Sequence, residues 1–200
     1  MGLADMALSM NMAYGSPEFI AVLDNVMKEM ANAAAQASAL RAKELGAFPK
    51  FNLEYAEKSK FYQDVYTEET KNMVREFGLR NSRILSIAPT GSISNVLGVS
   101  GGVEPFFMLG YQREIKSFGE EPMVIWVVEK TPKKLMDHLG LKSPEELPAW
   151  AQVTSQNIKF EDRAKVQSTI QKYVDTAISS TFNVNADAKV KEIEDIYMVS

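Results

Sequence analysis

The chain has 200 residues, of which 46% are hydrophobic and 24% charged, and its 22 basic and 26 acidic side chains leave a net charge of −4. This is enough for about one to one and a half domains with a sizeable core, which argues against wholesale disorder. There is no cysteine and only one histidine, so disulfides, thiolate metal sites, thiol nucleophiles, thiyl radicals and three-histidine zinc sites are all excluded from the chain itself.

No uncharged apolar run approaches the roughly 18–20 residues of a membrane span, and the first fourteen residues lack the basic start and apolar middle of a signal peptide. A soluble cytoplasmic protein is therefore expected, with no membrane partner. The basic residues form no stripe. The densest group, Lys130, Lys133 and Lys134, reads as a solvated helix face, so no nucleic-acid partner is expected either.

The first strong element is a long helix. Ser16 suits its N-cap, Pro17 its first turn and Gly46 its C-terminal stop. Phe19, Ile20, Leu23, Val26, Met27, Met30 and Ala34 recur at helical spacing, and the alanines that follow permit close approach of a neighbour. An aromatic-rich loop follows through Phe48, Phe51 and Tyr55. Thr67 caps a short helix that buries Met73, Val74 and Phe77 and ends at Gly78.

Arg83–Ala88 reads as a strand, as do Phe106–Ile115 and Thr181–Asn185, and Pro122–Val128 reads either as a strand or as the opening of a helix. Thr131-Pro132 and Ser143-Pro144 resemble helix starts. Phe160–Ser179 reads as one amphipathic helix, with Asp175 on its polar side, and Val190–Met198 as a last helix. His138 falls near a helix C-terminus, Trp126 and Trp150 are expected to pack, and the eleven methionines to fill core gaps. Helices alternating with single short strands predict an α/β fold, helix-rich, with mainly parallel strands.

The most informative stretch is Pro89-Thr90-Gly91-Ser92-Ile93-Ser94. A strand ends, proline turns the chain, and hydroxyl residues stand at a helix start. Free amides, the positive end of the helix dipole and three hydroxyls suit a phosphate without any lysine. Neither GxxxxGK[ST] nor GxGxxG is present. On spacing alone, a capped helix after a strand explains the same residues. Arg80, Asn81 and Glu104 flank the loop in sequence, and each also suits a structural role.

Several motifs taken together resemble the catalytic subunit of ribonucleotide reductase. They are Gly78–Ser82, Ala88–Ser94 and Gly102-Val103-Glu104-Pro105, with Gly2–Met6, Glu44–Pro49, Tyr173–Ser179, Thr181–Asn183 and Asp187–Tyr197 extending the match over the whole chain. The glycine in Ala-Pro-Thr-Gly-Ser-Ile-Ser and the stretch Val153–Phe160 lean towards class II, the adenosylcobalamin-dependent branch.

The resemblance implies a ten-stranded α/β barrel. By this resemblance the chain is expected to form most of its second half, as a single segment over residues 1–200 without the finger loop or the C-terminal tail. Gly2–Met6 would lead into a barrel strand. The resemblance further implies that Pro89, Thr90, Gly91, Ser92, Ile93 and Ser94 cradle the substrate phosphates, with Arg80, Asn81 and Glu104 supporting the loop.

The family's radical and redox cysteines have no counterpart here, so no catalytic residue and no metal ligand is assigned. The chain is expected to be a fragment or one product of a split gene. Its implied partners are a ribonucleotide substrate, the missing N-terminal half of the catalytic subunit and, for the complete enzyme, a second copy. Adenosylcobalamin is implied for the complete enzyme rather than for this chain. Diphosphate and triphosphate substrates are both open. The competing reading is a free-standing nucleotide- or partner-binding α/β module without catalytic activity.

Overall fold

The structure is a computed structural model that describes residues 1–115, 123–184 and 189–199. The chain divides into two compact units. One comprises Met1–Phe19, Pro89–Ala164 and Ser180–Ser200, and the other Ile20–Ala88 and Lys165–Ser179.

The first unit opens with α1 (Leu3–Ser9). The lead-in to a strand expected over Gly2–Met6 is thus corrected to a helix. Long-range bonds hold it: Gly2 N donates to the Ser100 carbonyl (2.8 Å), Ala4 N to Ser100 Oγ (3.2 Å), and Asp5 accepts from Ser100 N (2.7 Å).

The helix expected from Ser16 is α2 (Pro17–Leu45), and Ser16 Oγ accepts from Phe19 N at 3.2 Å. Its buried line runs through Phe19, Leu23, Met27, Ala31, Ala35 and Ala39. This four-residue stepping replaces the expected stripe, and Met30 stands exposed. The alanines give it a smooth face for neighbours to approach closely.

In the second unit the aromatic loop contains two helices that the sequence did not announce, α3 (Leu53–Lys58) and α4 (Lys60–Val65). Next is α5 (Glu68–Phe77), capped by Thr67 as expected. Val74 is fully buried, and Phe77 lies beneath the Lys43 ammonium, 4.8 Å from its ring centre.

The loop after residue 88 leads into α6 (Gly91–Leu97). An antiparallel hairpin of β1 (Gly110–Ile115) and β2 (Met123–Val128) follows, with Gly110 opposite Val128. Then come α7 (Lys130–Leu139), two short 3-10 turns at Pro144–Glu146 and Ala149–Ala151, α8 (Phe160–Gln171) and α9 (Val190–Val199).

The expectation of mainly parallel strands is corrected. Among the described residues, the regular sheet is antiparallel, and parallel pairing occurs as isolated bridges, Ile87 with Ile178 and Phe106 with Thr154. Arg83–Ala88 is extended without forming a regular strand, and so is 181–184; Asn185 lies outside the described residues.

The single helix expected over Phe160–Ser179 stops at Gln171. Beyond it the Asp175 carboxylate accepts from the amides of Ile84 and Leu85, and Thr176 Oγ1 donates to the Leu85 carbonyl. These bonds recruit the segment to an extended neighbour and override its helical periodicity. They also correct the placement of Asp175 on a solvated helix face. Met27 and Met136 fill core as expected, whereas Met108 and Met198 are exposed. Trp150 lines a small apolar pocket with Leu8 and Tyr14, and the side chain of Trp126 lies outside the described residues.

Candidate functional site

Pro89, Gly91, Ser92 and Ile93 are all exposed, and Thr90 is half-buried. The ladder of α6 begins with Ser94 N donating to the Thr90 carbonyl at 2.9 Å. The amides of Gly91, Ser92 and Ile93 precede that bond and have no acceptor among the described residues. A helix leaves its first amides unpaired by construction, and they carry the positive end of its dipole.

Thr90 occupies the N-cap position without capping its own helix. Its Oγ1 accepts from Gly102 N at 2.7 Å instead, which leaves its own proton free to donate. Ser92 Oγ is exposed. Ser94 differs: it is 3% exposed and its hydroxyl donates to the Gly91 carbonyl at 2.8 Å, so it shapes the turn. The donors that remain for an anion are three amides and the hydroxyls of Ser92 and Thr90.

Glu104 belongs to the same unit as the loop. Its Oε1 accepts from Thr181 N at 2.9 Å and lies 3.7 Å from Arg163 Nη2. Arg80 and Asn81 belong to the other unit, where their bonds have structural partners. Arg80 N donates to the Ser38 carbonyl and its guanidinium reaches the Gly46 carbonyl at 3.4 Å, while Asn81 is paired with the Ser38 hydroxyl.

Sequence reasoning missed Tyr14, Arg163 and Ser180, which converge on the segment after the loop. The Val103 carbonyl accepts from Tyr14 Oη (2.6 Å) and from Arg163 Nη1 (3.1 Å), and Arg163 Nη2 donates to Ser180 Oγ (2.9 Å). Burial pushes the Tyr14 phenol far above its ordinary value, against the lowering effect of Arg163, so it remains a donor. One signal for Arg163 was available, since it precedes Val166 and Ile170 at helical spacing and so falls on the buried face of α8.

A large cavity, about 940 Å³, lies in the other unit and is lined by Phe48, Phe51, Tyr55, Tyr62, Tyr66 and Arg83. It assembles no acid–base pair. Asp175 is engaged by two amides there, and burial, with Asp175 and Tyr62 adding, pushes the Tyr66 phenol up to about 12. Among the described residues no three histidine or carboxylate groups converge on a metal-sized site.

The family model described as "Ribonucleotide reductase, barrel domain" matches residues 1–200. The chain is 26% identical over 221 residues to a vitamin B12-dependent ribonucleoside-diphosphate reductase of Mycobacterium tuberculosis (strain CDC 1551 / Oshkosh), covering 100% of this chain and 28% of that protein. It is 28% identical over 217 residues to a protein of the same description from Thermoplasma acidophilum, covering 100% and 26%. Among solved structures, an Actinobacillus ureae class Id ribonucleotide reductase alpha subunit superposes with a TM-score of 0.69 at 20% identity, over 99% of this chain and 35% of that one. The chain thus spans about a quarter of the length of these curated relatives. With the match running from its first residue to its last, the chain belongs to the ribonucleotide reductase barrel-domain family.

Proposed function

We propose that this chain supplies the substrate-phosphate seat of a ribonucleotide reductase catalytic subunit, as a segment of the C-terminal portion of its barrel domain. The observation that carries the reading is the row of amides at Gly91, Ser92 and Ile93, which have no acceptor among the described residues and stand beside the hydroxyls of Ser92 and Thr90. A nucleotide's phosphate would accept from these groups, and the dipole of α6 would favour its charge. Charge-assisted bonds of this kind contribute roughly 1.5–3 kcal/mol each. Holding the phosphate fixes the ribose at a distance, so remote binding energy serves to orient the reacting carbons.

The chemistry itself belongs to groups outside the chain, which contains no cysteine to carry a thiyl radical or a reducing dithiol. Two of the relatives are named vitamin B12-dependent, which supports adenosylcobalamin as the radical source of the complete enzyme. Among the described residues, the chain offers no built site to hold it. The one histidine, His138, is exposed on the last turn of α7, next to Asp137, which is engaged with Lys133. The remaining parts of the reading are a partner region bearing the cysteines, a second copy of the complete subunit and a cytoplasmic location. Among the described residues, no helix is long and apolar enough to cross a membrane.

The test is Ser92→Asp in the full-length catalytic subunit, with a ribonucleoside diphosphate and the matching triphosphate assayed in parallel. A carboxylate at the seat repels the phosphate, so KM should rise by roughly 10–100-fold for the accepted substrate, the equivalent of losing one or two such bonds. An unchanged KM removes the loop from the site.

A further inference from the structure

We infer that Arg163 is a positioning residue for the phosphate loop, acting through Val103, Gly102 and Thr90; the inference rests on the phosphate-seat reading. Its starting point is a capping bond that is not made. Threonine at an N-cap ordinarily turns its hydroxyl oxygen towards the second or third amide of its own helix. In α6 those amides are Ser92 and Ile93. Thr90 Oγ1 instead accepts from Gly102 N at 2.7 Å, and no side-chain cap forms. The seat is open because its natural plug is held elsewhere.

What holds it is a turn with buried anchors. Glu104 N donates to the Gly101 carbonyl at 3.3 Å, closing the turn that presents the Gly102 amide. The turn lies hard against the loop, since a Cβ on Gly101 would stand 3.2 Å from Ser94 Oγ. Its Val103 carbonyl is clamped by Tyr14 Oη and Arg163 Nη1. Tyr14 and Arg163 are 5% and 2% exposed, so solvent does not replace either donor. The other guanidinium nitrogen donates to Ser180 Oγ, with the Phe182 ring 5.5 Å from the guanidinium carbon. One planar fork therefore fastens the 103–104 turn and the 180–182 segment together.

The charge balance points the same way. Among the described residues, the carboxylate beside Arg163 is Glu104, at 3.7 Å, and its Oε1 is also bonded to Thr181 N. Filling space with a buried guanidinium this loosely compensated is unfavourable compared with an apolar side chain. Its geometry is what an apolar side chain does not supply, because two fixed donors at a set angle lock two acceptors on separate segments.

The experiment is a double-mutant cycle in the full-length catalytic subunit, with a ribonucleotide substrate and KM and kcat read separately. Arg163→Lys keeps the charge and loses the fork. The Val103–Gly102 turn then relaxes, Thr90 Oγ1 swings back onto Ser92 and Ile93, and KM rises about tenfold while kcat stays within about twofold. Tyr14→Phe moves KM the same way by a smaller factor. In a Thr90→Val background there is no hydroxyl to swing, so Arg163→Lys produces no further rise in KM. Hydrogen exchange reports the same event, with the Ser92 and Ile93 amides better protected in Arg163→Lys than in the parent.

A fall in kcat matching the change in KM, additive effects in the Thr90→Val background, or unchanged protection would each overturn the inference. Should Arg163→Lys fail to fold, the Tyr14→Phe and Thr90→Val pair gives the same cycle. If Ser92→Asp raises KM and Arg163→Lys does not, this inference alone falls. If neither does, the phosphate seat falls with it.

Discussion

Thr70 donates its hydroxyl proton to Asn32 Oδ1 across 2.8 Å, and both residues are buried, at 0% and 4% exposure. Asn32 uses its whole side chain. Oδ1 also accepts from Thr67 N, and Nδ2 donates to the carbonyls of Lys28 and Val65. A single amide thereby joins α2 to the end of α4 and the cap of α5. Asn32→Leu leaves the buried Val65 carbonyl and the part-buried Thr67 amide without those partners, at up to about 1–3 kcal/mol each. The expected loss is about 2–4 kcal/mol in urea unfolding, with Thr70→Val milder because Asn32 Oδ1 keeps the Thr67 amide as a donor. A loss below about 1 kcal/mol for Asn32→Leu would show that the network is not what holds these helices.

Asp175 performs the comparable task for the extended segments. Its two oxygens accept from Ile84 N (2.8 Å) and Leu85 N (2.9 Å), and its carbonyl accepts from Arg83 Nη1 (2.7 Å). The register they set continues into the Ile87–Ile178 bridge and the Ser179 N to Ile87 carbonyl bond. Asp175→Ala deletes both side-chain acceptors, for an expected loss of about 2–3 kcal/mol, and Asp175→Asn, which keeps one, about half of that. Amide exchange at Ile84 and Leu85 should speed up in the same order. Equal exchange in all three proteins would contradict the bonding.

Where local chemistry decides an element, the sequence suffices. Ser16-Pro17 opens α2, and Gly46, at φ 81° with its amide bonded to the Ala42 carbonyl, closes it. Thr67 and Gly78 bracket α5, and Gly140 ends α7. The loop before α6 was legible for the same reason, because proline, glycine and hydroxyls act within one turn.

The rest is set by partners distant in sequence. α1 has no side-chain cap and depends on Ser100. The fate of 172–179 depends on amides at 84–85. Thr90's departure from capping depends on Gly102, and the turn that carries Gly102 depends on Arg163. Periodicity reports which face is buried. It is blind to a carboxylate or guanidinium that finds a backbone partner dozens of residues away.

Gly78 and Gly46 separate backbone strain from crowding. Both have positive φ, 73° and 81°. A Cβ on Gly46 meets nothing within 4 Å, whereas one on Gly78 would lie 2.8 Å from Ala47 Cβ and 3.1 Å from the Phe51 ring. Gly78 also has ψ −161°, in a region that essentially only glycine occupies. Gly46→Ala should therefore cost about 1 kcal/mol, and Gly78→Ala about 3 kcal/mol or more, because the clash adds to the conformational penalty. Thermal unfolding of the two variants side by side checks the order, and equal losses would remove the crowding at Ala47.

Glu129 gives the first unit one pH-dependent contribution to its stability. Partial burial, and then the nearby Asp5, hold its carboxyl above the ordinary carboxylate range. The positive end of α7, which begins at Lys130, favours the charge, yet the net effect opposes it. Asp5 is fixed in place by Ser100 N and Thr131 Oγ1, so it does not move aside. A raised folded-state pKa means that the folded protein binds this proton more tightly than the unfolded chain. The associated stability is fully present below the unfolded value, about pH 4, and is lost as pH rises through the folded value. At neutral pH the ionised group is a net liability. Glu129→Gln should therefore stabilise the protein at pH 7, by well under about 1 kcal/mol given its contact with solvent, and the gain should shrink towards zero near pH 4. Urea unfolding at the two pH values measures it. A variant less stable than the parent at pH 7, or a gain that grows on acidification, would reverse the sign assigned to the Glu129–Asp5 pair.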